Sequence, residues 1–221
     1  MQGRAINLTF HGIGDPRRPL DVGEQDVWVS EESFLAVLDS VAGHPEVRIT
    51  FDDGNASDLE HALPALRARG LSATFFVVAG RIGTPGFLDA TGVRELAAAG
   101  MDIGSHGMRH RPWRRLDDVA VQEELVDAKR VLEEVVERPV TQAACPFGAY
   151  DRRTLRTLRG GGYRAVYTSD RGTARPGGWV QARNSVHQGD DGRLLEQILA
   201  AERRVSTALP RRAKQLAKRW R

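Results

Sequence analysis

The sequence predicts an α/β fold of parallel strand–helix units in a single domain, and three observations predict it. Short runs rich in β-branched and aromatic residues recur about seven times, segments with helical spacing lie between them, and 221 residues suffice for one core but are short for two. Apolar residues at 41% and charged residues at 28% are the mixture of an ordinary globular chain, not of a disordered or membrane one.

In order, the strand runs are AINLTF, EVRITF, SATFFVVA, MDIGS, TQAAC, YRAVYTS and WVQARNSV. Ser30 is placed to cap a helix in which Phe34, Val37, Leu38 and Val41 recur at i, i+3, i+4 and i+7. Leu59, Ala62, Leu63 and Leu66 form the next face, ended by Gly70, and Pro64 within it predicts a late start or a kink. Asp117 to Glu137 is the longest helical candidate, with Val121, Leu125, Ala128, Leu132 and Val135 on one side. Leu155 and Leu158 mark a short helix, and Leu194, Leu195, Ile198 and Leu199 the last long one. This alternation fits an open doubly wound sheet or a (β/α) barrel, and in both, function collects at the C-terminal ends of strands.

Composition removes several classes. The longest apolar run, Ala73 to Ala79, is far below the roughly 18 residues of a membrane span. The first thirty residues lack the pattern of a secretory leader, so the expected compartment is the cytoplasm, or the envelope or exterior if a leader has been removed. Cys145 is the single cysteine, which excludes an internal disulfide and a Cys-rich metal site and leaves His and carboxylate as metal ligands. Arg211, Arg212, Lys214, Lys218, Arg219 and Arg221 sit in a basic tail, 206–221; taking those six charges from the net +3 leaves the rest at −3. With Leu216 and Trp220, that tail could make a weak surface contact with a membrane or an anionic polymer, the plainer reading being a solvated end. No aromatic interleaving or known motif supports nucleic-acid binding.

Just past the strand runs stand His11, Asp52 and Asp53, His106, Pro146 and Phe147, and Arg183. In TFDDGN two adjacent carboxylates end a strand, and neighbouring side chains of an extended chain face opposite ways unless the chain turns. In GSHGMRH, His106 and His110 are four apart, so a helical turn would put both imidazoles on one side. Taken singly, the first is also an ordinary Asp-Gly turn and the second a pair of surface histidines. Together at consecutive candidate strand ends, Asp53, His106 and His110 make a donor set that suits zinc or another borderline divalent ion.

TFDDG, SHGMRH and CPFG, in that order, resemble the successive motifs of the polysaccharide deacetylases, the NodB-type carbohydrate esterases, over most of the chain from about Leu8 to Val186. The resemblance implies a distorted barrel of the (β/α)7 type, here residues 1–205, that removes an N-acetyl or O-acetyl group from a sugar. It implies one divalent metal ion, zinc first, with cobalt, nickel or manganese as alternatives. Carried over by position, Asp52 is the general base, and Asp53, His106 and His110 hold the metal. Ser105 supports the loop, while Pro146 and Phe147 shape the groove wall, with the Phe147 backbone N–H toward the oxyanion.

Two departures raise expectations of their own. Ala144 stands where the family usually has an arginine that tethers the catalytic Asp, so Arg183 is expected to contact Asp52 or the substrate. The usual late Leu-x-His motif, the source of the general acid, is not evident. In a branch resembling the poly-N-acetylglucosamine deacetylases the acid sits on the first strand instead, which makes His11 of LTFHGIG the candidate acid, with His187 the other. The rivals for His11 are a dinucleotide fingerprint, already broken by Pro16 and Arg17, a core histidine, and a metal ligand. Trp28, Trp113 and Trp179 are expected on loops, where they either stack on sugar faces or pack into the core, and Trp179 is taken as a substrate residue. The function expected is metal-dependent deacetylation of an N-acetylated amino sugar. The alternatives are an amidase for a small non-sugar amide and a carbohydrate-binding relative without turnover.

Overall fold

A computed structural model describes residues 3–205; the basic tail at 206–221 lies outside the described residues. The strands are β1 (Ile6–Phe10), the short β2 (Gly12–Ile13) and β3 (Trp28–Val29), β4 (Val47–Asp53), β5 (Ala73–Val77), β6 (Asp102–Ser105), β7 (Gln142–Ala144), β8 (Ala165–Thr168) and β9 (Val180–Ser185). Seven of them close a parallel barrel in the order β1-β4-β5-β6-β7-β8-β9, with β9 returning to pair with β1. Of the two architectures the alternation allowed, the closed one is found. β2 and β3 form a separate parallel pair outside the barrel.

Strand alternation divides the layers. Phe10, Phe51 and Phe75 stack across β1, β4 and β5 at 5.4 and 4.6 Å, and Phe34, from helix α1 (Glu31–Val41), meets Phe10 edge-on at 5.0 Å. All four are fully buried, so this face of the strands holds the helical layer to the barrel. Residues one position away face the interior, where Thr9 Oγ1 and Thr50 Oγ1 lie 2.9 Å apart.

The remaining helices are α2 (Leu63–Ala68), α3 (Ala90–Ala98), α4 (Asp118–Val121), α5 (Ala128–Val136), α6 (Arg152–Gly160) and α7 (Leu194–Val205). Ser30 caps α1 by accepting the Ser33 N–H at 3.1 Å. Pro64 lies inside a continuous helical run, accommodated directly after a π-helical turn over Asp58–Ala62 in which the Leu63 N–H reaches back to the Asp58 carbonyl. The long predicted helix is α4 and α5 joined by a second π-helical turn, Gln122–Asp127, begun by the Asp117 cap and ended at Glu137 in the left-handed region. Helix α3 was not expected from the sequence: only Val93 and Leu96 mark its buried face, too few large residues to reveal a period.

Candidate active site

The strands deliver their groups to one end of the barrel. A cleft of about 560 Å³ opens there, lined by His11, Asp52, Asp53, His106, His110 and Phe147 among others. Asp52 continues the inward face of β4, while Asp53 takes φ +77°, a left-handed value that turns the chain and brings both carboxylates to the same cleft. Gly54 follows at φ +75°, and a Cβ there would sit 3.0 Å from Val77 Cγ1, so the turn needs glycine on two counts.

Asp53, His106 and His110 form the group suited to a cation, with one donor atom from each and all three within 4.8 Å of one another. Asp53 Oδ1 is 3.2 Å from His110 Nε2 and 3.7 Å from His106 Nε2. That oxygen is buried with no hydrogen-bond partner among the described residues, as a ligand atom would be. His106 Nδ1–H donates to the Ala144 carbonyl at 2.8 Å, which fixes the ring and leaves Nε2 directed at the carboxylates. Burial pulls the His106 pKa down to about 4, against the opposing pull of Asp52. The ring is therefore neutral near pH 7, the form that can bind a metal.

The histidines meet in a way the four-residue spacing did not describe. Residues 106–110 are not helical; they leave β6 through Gly107 at φ +83° and reach His110 at φ +52°. This irregular path, not an i,i+4 face, sets the rings 5.0 Å apart. Ser105 Oγ accepts the Gly107 N–H at 3.2 Å inside the turn.

Asp52 is buried and gripped by Arg183 of β9, whose Nη1 and Nη2 donate to its two oxygens at 2.6 and 2.7 Å. Burial alone would raise the Asp52 pKa, but the Arg183 charge, joined by His106, outweighs it and holds the carboxyl well below the usual range. The guanidinium also lies over Phe76 and Tyr167, at 5.2 and 5.9 Å, rings that pack with the small Ala144. Arg183 thus fills from β9 the contact that Ala144 lacks a side chain to make. Behind the site, Asp58 is fully buried with neither oxygen partnered among the described residues. Burial, reinforced by the charges of Asp53 and Asp52, pushes its pKa well up.

His11 is half-buried at the cleft, with Nδ1 unpartnered among the described residues. His187 is absent from the cleft lining, its backbone N–H held by Asp190 at 2.8 Å. Phe147 sits at φ +56°, two-thirds exposed, with its ring 4.6 Å from that of His110. Pro146 is buried beneath it and shapes the turn without lining the cleft.

The expectation for Trp179 is corrected. It stands before the first residue of β9, at the opposite end of a parallel barrel, where its Nε1–H donates to the Tyr163 carbonyl at 2.8 Å and Arg159 covers its ring. Trp113 is wholly buried, and Trp28 is buried with its indole N–H on the Gly14 carbonyl. Ser169, Ser185 and Arg81 also line the cleft. Ser169 closes its predicted strand run and Ser185 stands one residue before the end of the next, so reading the strand ends held a signal for both. Arg81, in the short turn after β5, carried none.

A family model described as polysaccharide deacetylase matches residues 40–166, more than half of the chain. YxkH of Bacillus subtilis (strain 168), whose name assigns it provisionally to the polysaccharide deacetylases, is 30% identical over 154 residues, 70% of this chain and 55% of that protein. A peptidoglycan-N-acetylglucosamine deacetylase of Bacillus cereus is 29% identical over 124 residues, 56% of each. The chain spans about half the length of these relatives. Among solved structures, the Streptococcus pyogenes deacetylase PplD in complex with acetate superposes with a TM-score of 0.77 at 20% identity, covering 90% of this chain and 99% of that one. At that identity the likeness establishes the fold.

Proposed function

Because the chain belongs to the polysaccharide deacetylase family, we propose that it hydrolyses the N-acetyl group of an amino sugar in a polysaccharide, oligosaccharide or glycoconjugate, with a divalent ion, zinc first, at Asp53, His106 and His110. One observation carries this: three ligand atoms within 4.8 Å of one another share a cleft with a paired carboxylate and a half-buried histidine. The name of the Bacillus cereus relative supports N-acetylglucosamine as the sugar.

The reaction forms one O–C bond from water, breaks the amide C–N bond and yields acetate and a free amine. A divalent ion, when bound, supplies Lewis acidity that polarises the amide carbonyl and lowers the pKa of water beside it. Asp52 takes the proton from the attacking water, its oxygens held in place by Arg183. His11 gives a proton to the departing nitrogen, without which an amine leaves very poorly. The Phe147 backbone N–H is assigned to the developing oxyanion.

The test is acetate release by the zinc-loaded protein from N-acetylglucosamine oligomers, run beside small cyclic amides. Release from the oligomers alone is expected. Turnover of the cyclic amides with none of the sugars would overturn the sugar assignment, and the absence of any divalent-ion binding would overturn the enzyme assignment.

A further inference from the structure

We infer that Glu124 is a positioning residue for the candidate metal site, fixing the loop that carries His106 and His110 before any ion arrives. The inference rests on the reading of Asp53, His106 and His110 as the ligand set. Glu124 lies on the π-helical turn between α4 and α5 and is fully buried. Its Oε2 accepts the Met108 N–H at 3.0 Å and the Trp113 Nε1–H at 3.3 Å. Its Oε1 accepts the Arg109 N–H at 3.0 Å, and Arg111 Nε lies 3.2 Å from the same oxygen. Donors from four residues of the stretch Met108 to Trp113 therefore converge on one carboxylate, an anion held in a nest of N–H groups.

The loop needs such an outside hold. It has no strand or helix of its own, and His110 occupies the left-handed region, where a residue with a Cβ is strained. Backbone bonds from Ala79 to Gly107 and from Gly80 to Met108 fix only its first half. Gly107 is matched to the carboxylate: a Cβ at that position would lie 2.3 Å from Glu124 Oε2. A carboxylate is all acceptor, whereas a glutamine turns its NH₂ toward donors and cannot satisfy both sides. Glu123, one residue away, bonds the side chains of Arg109 and Arg111 and, among the described residues, none of the loop's backbone N–H groups, which makes it a built-in control.

The experiment measures zinc affinity by chelator competition on metal-free wild-type, Glu124→Gln and Glu123→Gln proteins whose far-UV circular dichroism agrees, together with hydrogen exchange of the wild type with and without zinc. Glu124→Gln is expected to weaken zinc binding by about 10- to 100-fold, the range for groups that orient ligands from behind, with Glu123→Gln unchanged. The Met108 and Arg109 amides are expected to be protected already in the metal-free wild type, a readout that stands even if Glu124→Gln does not fold. Equal zinc affinity in Glu124→Gln and wild type, equal weakening in Glu123→Gln, or protection of those amides only after zinc is added would each overturn the inference while the metal site stands. A wild type that binds no zinc overturns the metal site itself, and the role of Glu124 with it.

Discussion

Arg183 and Asp52, 131 residues apart in sequence, meet inside the barrel through two parallel hydrogen bonds of 2.6 and 2.7 Å. They come from strands separated by β1, so the pair spans the seam where the barrel closes. Arg183→Ala leaves a buried carboxylate without its counter-charge and is expected to cost about 3–5 kcal/mol. The Asp52 pKa is depressed in the folded protein, so its contribution is present above the usual carboxylate range and is lost as pH falls toward the folded value. In Arg183→Ala that dependence should shrink and the acid limb of the kcat/KM profile should move upward in pH. Arg183→Lys should not restore either, because one ammonium cannot bond both oxygens in parallel. Urea unfolding and a pH–rate profile check both points.

His11→Ala should lower turnover by about 10²- to 10⁴-fold, the range for a general acid, with zinc affinity unchanged. A loss of affinity instead would make His11 a ligand, and no change in either would make it a packing residue.

Zinc should raise the melting temperature of the wild type and leave that of Asp53→Asn unmoved. Binding to the folded state alone adds about 2.7 kcal/mol at a hundredfold excess over Kd. Differential scanning calorimetry with and without chelator reads this directly.

His106 predicts how the metal-free protein responds to acid. Its unfolded form takes up a proton near about 6.5, while burial holds the folded form neutral until about 4. Stability therefore falls as pH drops through that window and levels off below it as far as this group is concerned. Melting curves at stepped pH should show the slope, and His106→Gln should reduce it.

Much of this was legible because a parallel strand ends where its chemistry begins. His11, Asp52, Asp53, His106 and Phe147 were all found by reading just past an apolar run, and the cleft gathers them. The expectation for Trp179 rested instead on the ability of a loop aromatic to stack on a sugar, which does not say at which end of the barrel the loop lies. Periodicity could not tell closed from open, since closure depends on β1 meeting β9 across the whole chain. Glu124 was invisible for a local reason: it reads as one more acid in a helix rich in Glu. The π-helical turn widens the helix there, and tertiary packing buries its carboxylate against the loop.

Closure of the barrel also sets a timetable. A ribosome releases the chain from its N-terminus, so Asp52, Asp53 and both cleft-bound histidines of the loop emerge well before Arg183 and β9. Until then β1 has one neighbour and Asp52 has no guanidinium. A nascent chain halted short of β9 carries every proposed metal ligand yet lacks the strand that seals the barrel. Competence would then arrive in one late step of synthesis, and truncated products would be inert and open at a sheet edge, the state that quality-control proteases remove.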